Sequence, residues 1–205
     1  MRLFVAVTPP ATALAELEAA VAPLRSAWPQ LRWTSTDAWH VTLAFLGEVE
    51  DSVLPELRTR LERAAHRHPG RELSIRGAGA FSAAARARVL WAGIHGDQAA
   101  PAGRAAPAGR APLAPLAASV AAGARRAGAP PPDEGRKYRP HLTLARSGEP
   151  ADMRPLVQAL AGFAGADWRA TQIHLIRSRL GPRPRYEILG SWPLRAQADA
   201  RGGSQ

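Results

Sequence analysis

HVTLAFLG, residues 40–47, and HLTLARSG, residues 141–148, write the same phrase twice: His, an apolar residue, Thr, Leu, Ala. His40 pairs with His141, Thr42 with Thr143, Leu43 with Leu144 and Ala44 with Ala145, and one copy falls in each half of the chain. A single histidine in an apolar run is usually a packed, hydrogen-bonded residue. Two copies in the same context point to two related structural units, each donating the same polar pair. In a strand, residues i and i+2 share a face. His40 therefore projects with Thr42, and His141 with Thr143, while Val41, Leu43 and Phe45, like Leu142 and Leu144, turn back toward helices. Ala44 and Ala145 continue the polar face and leave space beside each threonine.

N-terminal to the first motif, RLFVAV at 2–7 reads as a strand, and Thr8 with Pro9 and Pro10 turns the chain into a helix. Leu14, Leu17, Val21 and Leu24 recur at helical spacing between Ala11 and Ala27. A short strand near Leu31–Thr34 leads to the first motif strand, 40–46, which Gly47 ends. Asp51 or Ser52 is placed to cap a helix carrying Val53, Leu54, Leu57 and Leu61. Two strands are predicted at 71–81 and 88–95 and a helix at 113–127, with Leu113, Leu116 and Val120 inward. The second motif strand spans 141–146, a helix about 152–163, and further strands lie near 168–178 and 185–192. This order predicts an α+β protein of two similar lobes, antiparallel sheets facing a central cleft and helices outside, with the motif strands central and equivalent. Residues 1–195 form one bilobal domain. APAGRAAPAGRA at 100–111 repeats a six-residue unit without apolar periodicity, so 97–112 is expected to be a mobile loop insertion, and 196–205 a disordered tail.

The chain of 205 residues is long enough to bury a core. It has no cysteine, which excludes disulfides, thiol nucleophiles and Cys-based zinc sites and suits a reducing cytoplasm. The start has one basic residue and a short apolar run broken by prolines, unlike a secretory leader, and no stretch has the length of a membrane span. The formal net charge of +10 invites a polyanion, although Lys137 is the only lysine and the arginine-, alanine- and glycine-rich composition is also that of GC-rich coding.

Should the two lobes face each other, the cleft holds two imidazoles and two hydroxyls. One neutral imidazole can take a proton from an attacking oxygen while an imidazolium gives one to the leaving oxygen. The hydroxyls, aided by arginine, can donate to the non-bridging oxygens of a phosphorane-like transition state. Phosphodiester cleavage needs these parts and no cofactor. A zinc site usually requires a third protein ligand, and threonine is a poor one; no G-x-S-x-G elbow marks a serine nucleophile. His66, His68, His95 and His174 read as structural or solvated.

The paired motifs resemble those of the 2H phosphoesterase superfamily, in particular its bacterial and archaeal RNA 2′,3′-cyclic phosphodiesterases, once named 2′-5′ RNA ligases. The resemblance runs through RLFVAV, RW at 32–33, HVTLAFLG, VLWAGI at 89–94, YRPHLTLAR at 138–146 and LIRSRLGPRPRYEIL at 175–189. It implies a bilobal fold with a pseudo-twofold axis and metal-independent hydrolysis of a terminal 2′,3′-cyclic phosphate to a 2′-phosphate. It also implies His40 as proton donor to the leaving 3′-oxygen and His141 as acceptor from water, roles the near-symmetric motifs do not themselves distinguish. Arg146 matches the arginine that follows the family's second motif and would bind phosphate. Strict alternation turns it away from His141, so its use requires the strand to twist or end near Ala145. Arg139 falls on the favourable side, and Phe45 and Tyr186 are candidates to stack on a base. Relatives often carry a basic residue where this chain has Ala44. The expected partners are RNA 3′ ends or small 2′,3′-cyclic nucleotides, met by a cytoplasmic monomer. The alternatives are a non-catalytic RNA-binding module on the same fold, or a sister activity such as 2′-5′ ligation.

Overall fold

The structure, a computed structural model, describes residues 1–96, 112–132, 137–179, 181 and 185–196. Nine strands form two antiparallel sheets among these residues. The first has the order β3 (Val41–Glu48), β1 (Arg2–Val7), β8 (Gln172–Arg179), β9 (Arg185–Pro193). The second runs β2 (Arg32–Trp33), β6 (His141–Ala151), β5 (Ala87–Gly96), β4 (Arg71–Phe81), β7 (Trp168–Ala170). Helices α2 (Leu54–His66) and α3 (Ala114–Arg126) pack on each other and against the first sheet, while α1 (Ala11–Ala27) and α4 (Arg154–Ala159) contact the second. The architecture is α+β, as expected.

The lobes are not the two halves of the chain. The first sheet takes β1 and β3 from the N-terminal half and β8 and β9 from the C-terminal half, and β2 crosses to pair with β6. Setting β3 against β6, β1 against β5, β8 against β4 and β9 against β7 gives corresponding strand orders, with β2 added outside β6. One expectation fails here: β3 is not central but an edge strand, whereas β6 is flanked on both sides. A run of apolar residues does not reveal whether its second edge is covered by a strand or by a helix, and here α3 packs against β3.

Local chemistry accounts for the elements. Leu17 and Val21 of α1, Leu57 and Leu61 of α2 and Leu116 and Val120 of α3 are buried at helical spacing. In β1, Leu3, Val5 and Val7 enter the main core while Phe4 and Ala6 lie on the opposite, cleft-facing side. Leu142 and Leu144 are fully buried beneath the second motif, each contributing about 1.5–3 kcal/mol. Asp51 and Ser52 sit in a 3₁₀ turn ahead of α2 and make no side-chain cap. Gly47 does not end its strand: it continues to Glu48, and the glycine takes φ +70° opposite Leu3, where a register shift leaves Leu46 as the extra residue. The second motif strand likewise runs on to Ala151, and α4 is shorter than its sequence pattern, Arg154–Ala159. The repetitive segment 97–111 and the tail 197–205 lie outside the described residues.

Candidate active site

The repeated motifs differ from ideal strands in the same way. Along β3, Ala6 pairs with Thr42 but Val5 with Ala44, so Leu43 is an extra residue. Along β6, Trp91 pairs with Thr143 but Leu90 with Ala145, so Leu144 is extra. Each β-bulge follows the threonine, and the two residues after it, Leu43–Ala44 and Leu144–Ala145, are both buried. A bulge shifts the alternation by one. The cleft face therefore reads His40, Thr42, Phe45 on one strand and His141, Thr143, Arg146 on the other. Ala44 and Ala145 do not continue the polar face as strict alternation had them, and Phe45 does not turn under the helices. It packs on Phe4, Ala6 and Ile176 in the cleft-side apolar cluster. Arg146, which alternation sent away from His141, is brought to it by the bulge.

Both imidazoles are partly buried and held by aromatic rings. Phe4 stacks on His40 with ring centroids 4.5 Å apart, and Tyr186 approaches edge-on at 5.3 Å. Phe81 meets His141 edge-on at 4.8 Å, and Trp91 lies tilted at 6.3 Å. The backbone fixes the tautomers alike. His141 Nδ1 donates to the Arg139 carbonyl at 2.7 Å, and His40 is hydrogen-bonded to the backbone of Ala38. The carbonyl two residues upstream thus holds one ring nitrogen of His141 and leaves its Nε2 for chemistry.

Burial lowers the pKa of His40 to about 4, opposed by its backbone hydrogen bond and reinforced by the charges of His141 and Arg146. His141 is lowered too, first by burial and then by Arg146. The two imidazoles and the guanidinium therefore share one electrostatic environment, and Arg146 also acts on the Tyr186 hydroxyl. The cation that repels a second positive charge from the free histidines is placed to welcome a phosphate.

The remaining candidates fall where their elements put them. Arg139 supplies its carbonyl to His141 and its side chain to the wall of the adjoining pocket. Tyr186, on the outer strand β9, is 38% exposed beside His40. His174 is buried and bonded to Ser191, and His68 to Ser119, as structural residues would be; His66 and His95 are exposed. Among the described residues no three His, Asp or Glu side chains cluster so as to hold a metal ion.

Phe4, Phe81, Trp91 and Tyr138 are not among the site residues expected from the sequence. Phe4 carried a usable signal, since it alternates with Leu3 and Val5 and so leaves the core face of its strand. Tyr138 carried none: its hydroxyl donates to the Thr42 carbonyl at 3.1 Å across 96 residues of chain, tying the approach to the second motif onto the first. Burial raises the pKa of that hydroxyl, keeping it a neutral donor.

A family model of the 2′-5′ RNA ligase superfamily matches residues 15–182. An RNA 2′,3′-cyclic phosphodiesterase of Thermus thermophilus is 30% identical over 205 residues, covering 96% of this chain and 92% of the relative. Another protein of that name, from Geobacillus stearothermophilus, is 25% identical over 87% of this chain but 52% of its own length, so the chain spans about half of that relative. The crystal structure of TT0787 of Thermus thermophilus superposes with a TM-score of 0.72 at 28% identity, covering 97% of this chain and 100% of that one. The matched residues take in both His-x-Thr motifs, the whole second sheet and β3 and β8 of the first, and the chain belongs to the 2′-5′ RNA ligase superfamily.

Proposed function

We propose that this protein hydrolyses 2′,3′-cyclic phosphates, at RNA 3′ ends or on free nucleotides, to 2′-phosphates by paired histidine acid–base catalysis without a metal. The observation that carries the proposal is the matched pair of bulged strands, which sets two imidazoles, two threonine hydroxyls and Arg146 around one cleft. Water attacks phosphorus and gives a proton to one imidazole. The P–O3′ bond breaks and the other imidazolium protonates the departing oxygen, so the pair holds one proton before and after. Thr42, Thr143 and Arg146 donate to the non-bridging oxygens as charge gathers on them. Phe45 and Tyr186 offer stacking faces for the base, and Arg139 adds positive charge. The donor set, two histidines each paired with threonine, is suited to this chemistry and poorly suited to zinc. The reading extends to a cytoplasmic monomer acting in RNA processing, in keeping with the absence of cysteine from the sequence.

Family likeness makes His40 the donor and His141 the acceptor; in the free protein burial lowers both imidazoles, His40 to about 4. Incubation with a 2′,3′-cyclic nucleotide in excess EDTA tests the hydrolysis. Turnover to the 2′-phosphate is expected, and activity that appears only on adding zinc or manganese would overturn the metal-free mechanism. A protein that binds RNA but turns over no cyclic phosphate under any condition would be the non-catalytic module, and 2′-5′-linked products would mark the ligase.

A further inference from the structure

A pocket of about 780 Å³ opens from the histidine cleft along the β3 edge. Thr42, Phe45 and His141 are among its lining residues, so it adjoins the proposed reacting centre. Its apolar wall comes from Leu43 and Ala44 on one side and from Ala114, Ala117, Ala118 and Ala121 of α3 on the other. Those four alanines fall at i, i+3, i+4 and i+7 and so form a single helix face. Lys137, Arg139 and Arg125 contribute positive charge to the same lining. The small side chains keep the space open, and a long residue at position 44 would narrow it.

This volume exceeds what a reacting cyclic phosphate needs, and in the proposed reaction the motif residues with Arg146 serve that phosphate. The charges of Lys137 and Arg139 suit further phosphates. The flat, apolar wall suits the faces of bases and offers few side-chain groups to read their edges. An RNA whose terminal nucleotide reacts between His40 and His141 must leave the cleft along some path. This one is contiguous with the site, positively lined and, among the described residues, free of acidic lining side chains.

We infer that this groove between β3 and the alanine face of α3 holds the nucleotides preceding an RNA 3′ end, making oligonucleotides with little base preference better ligands than single nucleotides. The inference rests on the proposed hydrolysis for the position of the terminal nucleotide, and binding tests it separately from turnover. Affinities of a trinucleotide ending in a 2′-phosphate and of the matching nucleoside 2′-phosphate are compared in the full chain, across a salt series. The trinucleotide is expected to bind about tenfold tighter at low salt, the gap closing as salt rises. Ala118→Leu fills the groove at an exposed helix position where leucine is well tolerated, and Lys137→Gln removes a charge without touching the core. Each is expected to bring the affinity ratio toward one. A wild-type ratio near one at low salt, or a ratio that neither substitution lowers, would overturn the groove. A protein that keeps the ratio but opens no cyclic phosphate would retain the groove while losing the hydrolase reading.

Discussion

His40 shows how far a few neighbours can move one side chain. Enclosed by Phe4 and Tyr186 and facing two other positive groups, it resists protonation until about pH 4. In the unfolded chain it would titrate near 6.5. Between those values the unfolded state binds the extra proton, so stability attributable to His40 is present above about pH 6.5 and is lost as pH falls toward 4. His68, His141 and His174 are lowered as well and act with the same sign. A His40→Gln protein should therefore lose less stability than the parent between pH 6.5 and 4, as measured by denaturant midpoints; an identical slope would show that His40 is not desolvated. Replacing either motif histidine by alanine should cut kcat/KM by about 10²–10⁴-fold, the usual loss of a proton-transfer group. Thr42→Ala and Thr143→Ala should fall short of that, at or below about 2.7–4 kcal/mol for one positioned donor. A His141→Ala protein turning over a cyclic nucleotide at the parent rate would mean that the reaction occurs elsewhere.

The twin bulges do for the strands what no single residue could. Because each inserts one residue after the threonine, the motif presents a third cleft position, filled by Phe45 on β3 and Arg146 on β6. Arg146→Ala should therefore lower kcat/KM by about 10²–10³-fold, the range for losing one transition-state donor, with the denaturation midpoint little changed at this exposed position. Tyr138→Phe removes the hydrogen bond joining the two motifs and should cost about 0.5–1.5 kcal/mol in chemical denaturation. The contrast marks what a sequence can show. Periodicity placed Arg2–Val7 and Ala11–Ala27 because propensity and burial agree there. It located His40, Thr42, His141 and Thr143 because they precede the bulges. It misdirected Phe45 and Arg146 because a bulge is defined by the partner strand's register, which one strand's residues do not encode.

At the scale of the molecule, the strands change lobes so that the lobes cannot come apart as sequence halves, and the cleft is framed by both. Gly96 and Pro112, the described residues on either side of the repetitive sequence, lie so close that a Cβ at Gly96 would meet the Pro112 ring. Loop closure costs only about 0.6 kcal/mol per doubling of length. Replacing 97–111 with a short Gly-Ser turn should leave the thermal midpoint and cyclic-nucleotide turnover intact; an unfolded product would show that the segment packs on the core. If two histidines share one proton across the cleft, the pH dependence of kcat/KM on a 2′,3′-cyclic nucleotide, in excess EDTA, must show it. This quantity reports the groups of the free protein, and both are lowered by burial. The profile should be a bell whose maximum lies on the acid side of 6.5, with apparent values belonging to the pair. The residual activity of each single-histidine variant should retain one limb, and the limb that survives names the base. A rate that rises through one ionisation to an alkaline plateau, as a metal-bound hydroxide gives, would contradict it.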